Sequence, residues 1–187
     1  MLSDIVNIYG TVELGTMAHE TALANLIRHL ASKNKKLFKT VFPAAGNLPT
    51  LCQYYPQLVF FEEIKINGKS EVLGTGYGTH IPLIRSRFKD LGGGIPYEMM
   101  LEKLNACGID LKQEMKSYHL NSVIIHPLPF VYVYARRDFS VSLYGIVIYP
   151  EYLRDVAHRE FVEDNITGRF TMKVNYDRKQ NQLLELY

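Results

Sequence analysis

Glu63-Ile64-Lys65 follows the apolar run Val59-Phe60-Phe61 and places a carboxylate and an ammonium on one face of a strand. Metal-dependent nucleases use such a strand to bring both groups to one divalent ion, which activates water and polarises a phosphate. The chemistry needs a further acid, and Asp4 and Glu20 are the upstream candidates. Solvation of an exposed strand face accounts for Glu63 and Lys65 equally well. His19, His29, His80, His119, His126 and His158 show no ligand spacing, and His19-Glu20 has no second histidine four residues after the first. No metal site is expected from them.

Gly74-Thr75-Gly76-Tyr77-Gly78 would let backbone N–H groups approach a phosphate if a helix began directly after it. No lysine and hydroxyl residue close the motif, so a glycine-rich turn is the better reading. There is no Gly-x-Ser-x-Gly elbow, and neither Cys52 nor Cys107 sits in a nucleophile context. No catalytic residue and no cofactor is expected, and the two thiols fit a reducing compartment. The basic residues form clusters: Lys33, Lys35, Lys36 and Lys39; Arg85, Arg87 and Lys89; Arg136 and Arg137; Arg178 and Lys179. They are either solvated faces or phosphate contacts flanking an uncharged sheet.

These groups need a scaffold, and the composition supplies one. The 187 residues are 47% hydrophobic and 21% charged, enough for a sizeable core. A net charge of +2 demands no anionic partner. Thirteen tyrosines and nine phenylalanines favour strands and contact surfaces. Met1-Leu2-Ser3-Asp4 lacks a basic region leading into an apolar run, and no apolar stretch is long enough to span a bilayer. An intracellular protein of the cytoplasm or nucleus, neither secreted nor in a membrane, is expected.

Ile5 to Val12 is β-branched and predicts the first strand, broken at Gly15-Thr16 with Thr16 as an N-cap. Leu23, Leu26, Ile27 and Leu30 predict a helix ending near Lys33. Phe38 to Pro56 suggests a short strand and a loop. Asn67-Gly68 predicts a hairpin between a strand from Gln57 and its return, Ser70 to Thr75. Ile81, Ile84, Phe88 and Leu91 suggest a second helix ended by Gly92-Gly93-Gly94, a candidate hinge. Met100, Leu101 and Leu104 suggest a third, with Pro96 in its first turn and Gly108-Ile109 as a Schellman stop. Leu120 to Ile125, Phe130 to Ala135, Phe139 to Leu143, Phe170 to Tyr176 and Leu183 to Leu186 are strand-like. Arg136-Arg137-Asp138 is a turn, and Glu151 to Phe161 a short helix or loop. The fold expected is one α+β domain over 1–187, with a mainly antiparallel curved sheet and helices on one face.

The stretch from Ile5 to Gly15 resembles the opening strand of the TATA-box-binding protein family. Tyr118-His119-Leu120-Asn121-Ser122-Val123 resembles the opening strand of that family's second repeat. The resemblance implies a pseudo-twofold saddle with pseudo-repeats 1–110 and 111–187, in the form of a divergent, viral relative. It places Asn7, Tyr9, Thr11, Asn121 and Val123 on the DNA-facing sheet, with Phe42 and Phe60 or Phe61 as wedges. Minor-groove readers need short polar groups for base acceptors and apolar side chains to wedge the steps. It also puts Glu71 on that sheet, where phosphates would repel it. The function implied is non-enzymatic duplex-DNA binding in transcription initiation. Two other readings stand beside it: a protein-interaction or self-assembly module using Tyr-rich strands such as Tyr132 and Tyr134, and a metal-dependent nuclease using Glu63 and Lys65.

Overall fold

A computed structural model describes residues 6–76, 82–136, 140–144, 146–150, 153, 170–177 and 180–187. The chain is α+β and divides into two compact units, Met1–Tyr134 and Ala135–Tyr187. In the first, β1 (Ile8–Thr11) and β2 (Gly15–His19) form a hairpin, followed by α1 (Ala22–Lys33) and α2 (Lys35–Val41). Then come β3 (Thr50–Gln53), β4 (Val59–Ile66), β5 (Lys69–Gly76) and β6 (Leu83–Ile95). The helices α3 (Tyr97–Ala106) and α4 (Leu111–Ser117) precede β7 (Phe130–Arg136). The large antiparallel sheet has seven strands in the order β1-β2-β3-β7-β6-β5-β4.

The start of the chain departs from expectation. Gly15, at φ 65°, turns the chain into a second strand, and Thr11 Oγ1 accepts from Leu14 N–H to close the turn. The N-cap of α1 is Thr21, whose hydroxyl accepts from Ala24 N–H at 3.1 Å, and not Thr16. The segment from Phe38 opens inside α2, which Asn34 caps by accepting from Lys36 and Leu37 N–H. The Asn67-Gly68 hairpin forms as expected, both residues having positive φ.

The second expected helix is the strand β6. Its pairing with β5 shifts register twice, between Glu71 and Leu73 and between Gly74 and Gly76, and Arg85 and Lys89 have positive φ. Each bulge inserts residues and resets the alternation. The spacing Ile84, Phe88, Leu91 therefore imitates a helical stripe. Ile81 lies outside the described residues. The triple glycine is strand, not hinge: a Cβ at Gly92 would lie 1.9 Å from the Tyr132 carbonyl oxygen on the neighbouring strand. Gly74 and Gly76 lie in β5 rather than in a turn, while Tyr77 and Gly78 are outside the described residues.

Helices α3 and α4 end in the same way. At α3, Gly108 N–H donates to Asn105 O and Ile109 N–H to Leu104 O, the expected Schellman pattern. At α4, His119 takes the left-handed place at φ 57°. Its N–H donates to Lys116 O, and Leu120 N–H to Met115 O at 2.8 Å. Leu120 then packs on Met115 and Leu26. The strand expected from Leu120 to Ile125 is thus a helix stop followed by irregular chain, and it contributes no strand to the sheet.

Helices cover one face of the sheet. Ile27, Leu37, Phe42, Met100 and Leu104 pack with Leu51, Ile95, Phe130 and Tyr132. Burial of each large side chain contributes about 1.5–3 kcal/mol. The other face closes on itself: Met17, Cys52, Val59, Phe61, Val72 and Val131 form a second cluster made of strand and loop residues. Tyr9 of β1 stacks on Phe61 of β4 at 5.8 Å, so the two edge strands meet across a strongly curved interior.

The second unit holds two hairpins, β8 (Val141–Leu143) with β9 (Ile146–Ile148) and β10 (Met172–Tyr176) with β11 (Gln182–Leu186). They are tied by Gln182, whose N–H donates to Tyr144 OH at 2.8 Å while its side-chain oxygen accepts from Tyr144 N–H. The expected turn at Arg137-Asp138 and most of Glu151 to Phe161 lie outside the described residues. Among the described residues, no helix is long and apolar enough to cross a membrane.

Gly92→Ala is expected to destabilise the protein by about 3 kcal/mol or more, because the obstacle is backbone and cannot swing away. Gly94→Ala, whose added Cβ meets nothing nearer than the Phe130 carbonyl oxygen at 3.9 Å, should stay within about 0.5 kcal/mol of wild type. Urea titration followed by far-UV circular dichroism compares the two.

Candidate functional site: the sheet and its edges

The residues expected to face a DNA groove do not share a surface. Tyr9 points into the closed interior, where its hydroxyl donates to Asp90 Oδ2 at 2.7 Å. Thr11 belongs to the hairpin turn. Phe42 is fully buried beneath the helices, edge-on to Tyr132 at 5.3 Å. Phe60 is 53% exposed on the outer side of β4, while Phe61 points inward. Asn121 follows the stop of α4, and Val123 packs beside Leu26 and Met115. Asn7 is exposed just ahead of β1, with its backbone N–H donating to Glu20 Oε2 at 3.0 Å.

Glu71 is not exposed on a sheet face. It is fully buried and held by Arg87 through two bonds, Nε to Oε2 at 2.6 Å and Nη2 to Oε1 at 2.9 Å. A side-on fork of this kind is the strong form of an arginine–carboxylate pair. It pins β5 to the bulged part of β6.

Of the nuclease candidates, Glu63 and Lys65 are both exposed on β4. Glu63 Oε1 accepts from Ser70 Oγ at 2.5 Å across the β4–β5 ladder. Glu20 engages Arg28 with one oxygen and Asn7 N–H with the other. Asp4 lies outside the described residues. Among the described residues no three His, Cys, Asp or Glu side chains come together as metal ligands.

The thiol and phenol groups of the core are held neutral. Burial pushes the Cys52 thiol up to about 12, with Glu20 adding to the shift. Burial likewise raises the Tyr132 phenol to about 12, with the Glu63 carboxylate and Tyr134 contributing. Tyr132 is 4% exposed, so this part of the Tyr-rich strand is core and offers no docking surface.

The large sheet also has two edges. Among the described residues β1 and β4 each pair with one neighbour, and their outer backbone groups face away from the sheet. Large apolar side chains stand along them: Ile8 (65% exposed) and Val12 (99%) on the β1 side, Leu58 (68%) and Phe60 (53%) on the β4 side. Ile84 of β6 is 72% exposed. The alternation in Val59-Phe60-Phe61 was a sequence signal that one phenylalanine faces out, but it could not say which. No family model and no curated protein matches the chain.

Tyr9→Phe separates a core role from a surface one. It removes only the hydroxyl that donates to Asp90 Oδ2, a residue 9% exposed, and should cost about 1 kcal/mol in thermal or urea unfolding. Unchanged stability would mean that this bond contributes nothing.

Proposed function

We propose that the chain is a non-enzymatic protein-interaction module that associates through the open edges of its large sheet, a second copy of itself being the first partner to test. The observation that supports this is the pairing of unfilled strand edges, β1 and β4, with exposed Ile8, Val12, Leu58 and Phe60. An edge strand presents a row of unpaired N–H and C=O groups that templates another strand. Proteins that stay monomeric guard such edges with charge, proline or a covering element. Added strands gain main-chain hydrogen bonds and find side-chain specificity in alternating positions.

Light scattering coupled to size exclusion, across a concentration series, tests the proposal. Wild type should shift from monomer to dimer or higher species. Phe60→Lys, a guard charge on the β4 edge, should weaken association at least about tenfold with little loss of stability, because the side chain is already exposed. A strict monomer across the series, or association untouched by Phe60→Lys, would remove the β4 edge as the contact.

A second reading, duplex-DNA binding of the TATA-binding type in transcription initiation, draws on the opening-strand resemblance. It is favoured by a further observation: Lys33, Lys35, Lys36 and Lys39 are all exposed at the α1–α2 corner, and none pairs with an acid among the described residues. Phosphate contacts of this kind position a protein without reading sequence. Fluorescence anisotropy with an AT-rich duplex should then show affinity falling steeply with salt, and Lys35→Glu should flatten the slope by about one unit. No salt-dependent binding at low ionic strength would exclude it.

A further inference from the structure

Helix α1 carries Asn25, Arg28, His29 and Ser32 at spacings of three, one and three, which places them on one stripe beside the buried apolar one. This polar stripe faces an open cleft of about 430 Å³, whose remaining polar lining is Asn7 and Glu20. Glu20 has both oxygens occupied: Oε2 accepts from Asn7 N–H at 3.0 Å, and Oε1 from Arg28 Nη1 at 3.1 Å. Its side chain is 2% exposed, against 32% for Arg28. The carboxylate is therefore a fixed anchor that holds the guanidinium at one end and leaves it able to turn about that bond.

Glu20 takes only the Nη1 end of Arg28. The side-on fork, made by Nε–H and an Nη2–H in parallel, is the part of an arginine that matches two oxygens of a carboxylate or phosphate. Nε is buried and has no hydrogen-bond partner. A buried donor left unpaired is costly, and an acceptor drawn to the fork would remove that cost. The cleft is also lined by Asn25, His29, Ser32 and Leu48; the Ser32 hydroxyl donates to His29 O at 2.7 Å, and the imidazole of His29 is steadied edge-on by Tyr118 at 5.2 Å. Among the described residues, Glu20 is the one carboxylate that lines the cleft.

We propose that this cleft is a binding site for a small oxyanion, a carboxylate or a phosphate, seated side-on against Arg28 with Glu20 as the group that orients it. Because Nε lies beneath the cleft surface, binding turns the guanidinium outward about its bond to Glu20. The site is independent of the sheet edges and of the α1–α2 lysine corner.

The test is an NMR titration of the ¹⁵N-labelled full chain with inorganic phosphate and, separately, acetate, with chloride at matched ionic strength as control. The Arg28 Nε–H signal should move in a saturable way and sharpen as its exchange with water slows, and the amides of Asn25 and His29 should move with it. Saturation by phosphate alone identifies a phosphate site, and saturation by acetate alone a carboxylate site. Arg28→Lys retains the charge beside Glu20 but not the fork, and should weaken binding at least about tenfold. Ser32→Glu leaves Arg28 and Glu20 in place on an exposed helix position and should abolish binding by repulsion. Shifts no larger than those with chloride, or binding that survives in Ser32→Glu, would overturn the proposal.

Discussion

The stacking of Tyr9 on Phe61 is the contact on which the arrangement of the first unit rests. The two rings come from opposite edges of the sheet, so they can meet only if the whole sheet curls. Tyr54 meets Phe61 edge-on at 4.8 Å and extends the aromatic interior. Such ring pairs are worth about 0.5–1.5 kcal/mol beyond the area they bury. Gly74 and Gly76 leave room for Phe88 and Val59 in the same interior. Once the concave side is filled in this way and the helices have covered the convex centre, the margins are the part of the sheet left open among the described residues.

The more local a feature, the more legible it was. The stripe of α1, the Asn67-Gly68 hairpin and the Gly108 stop are each specified within a few residues, and each forms as the sequence predicts. His119 does the same work as Gly108, but a histidine seldom adopts positive φ. Its helix stop was therefore hidden inside what resembled a strand. In β6 the bulges at Arg85 and Lys89 gave strand residues a helical spacing, and bulges are set by the pairing partner, which a single segment does not contain. Helix α2 has seven residues, too few for its periodicity to show.

The surfaces were less legible still. Phe42, Phe60, Tyr9 and Tyr132 are all aromatic residues near strands, and nothing local distinguishes exposed Phe60 from half-buried Tyr9 or from buried Phe42 and Tyr132. Their fate depends on how far the sheet curls. The Glu20–Arg28 pair joins the end of β2 to the middle of α1, eight residues apart, which neither helical nor strand spacing would suggest. It follows from the extra hairpin strand, which delivers Glu20 under the helix.

The pairing of β3 with β7 at the centre of the sheet, Leu51 beside Tyr132 and Cys52 beside Val131, joins the segments most distant in sequence of any neighbouring strands. Loop-closure entropy rises with the length of chain enclosed, so this ladder carries the largest closure cost in the sheet. The β4–β5–β6 meander that it encloses is far more local and closes at lower cost. Gln53 adds a clasp at the seam, its amide donating to the carbonyls of His126 and Leu128 and its oxygen accepting from Thr21. The centre of the sheet is thus the entropically dearest part of the fold to assemble, and its integrity depends on chain segments that are strangers in sequence.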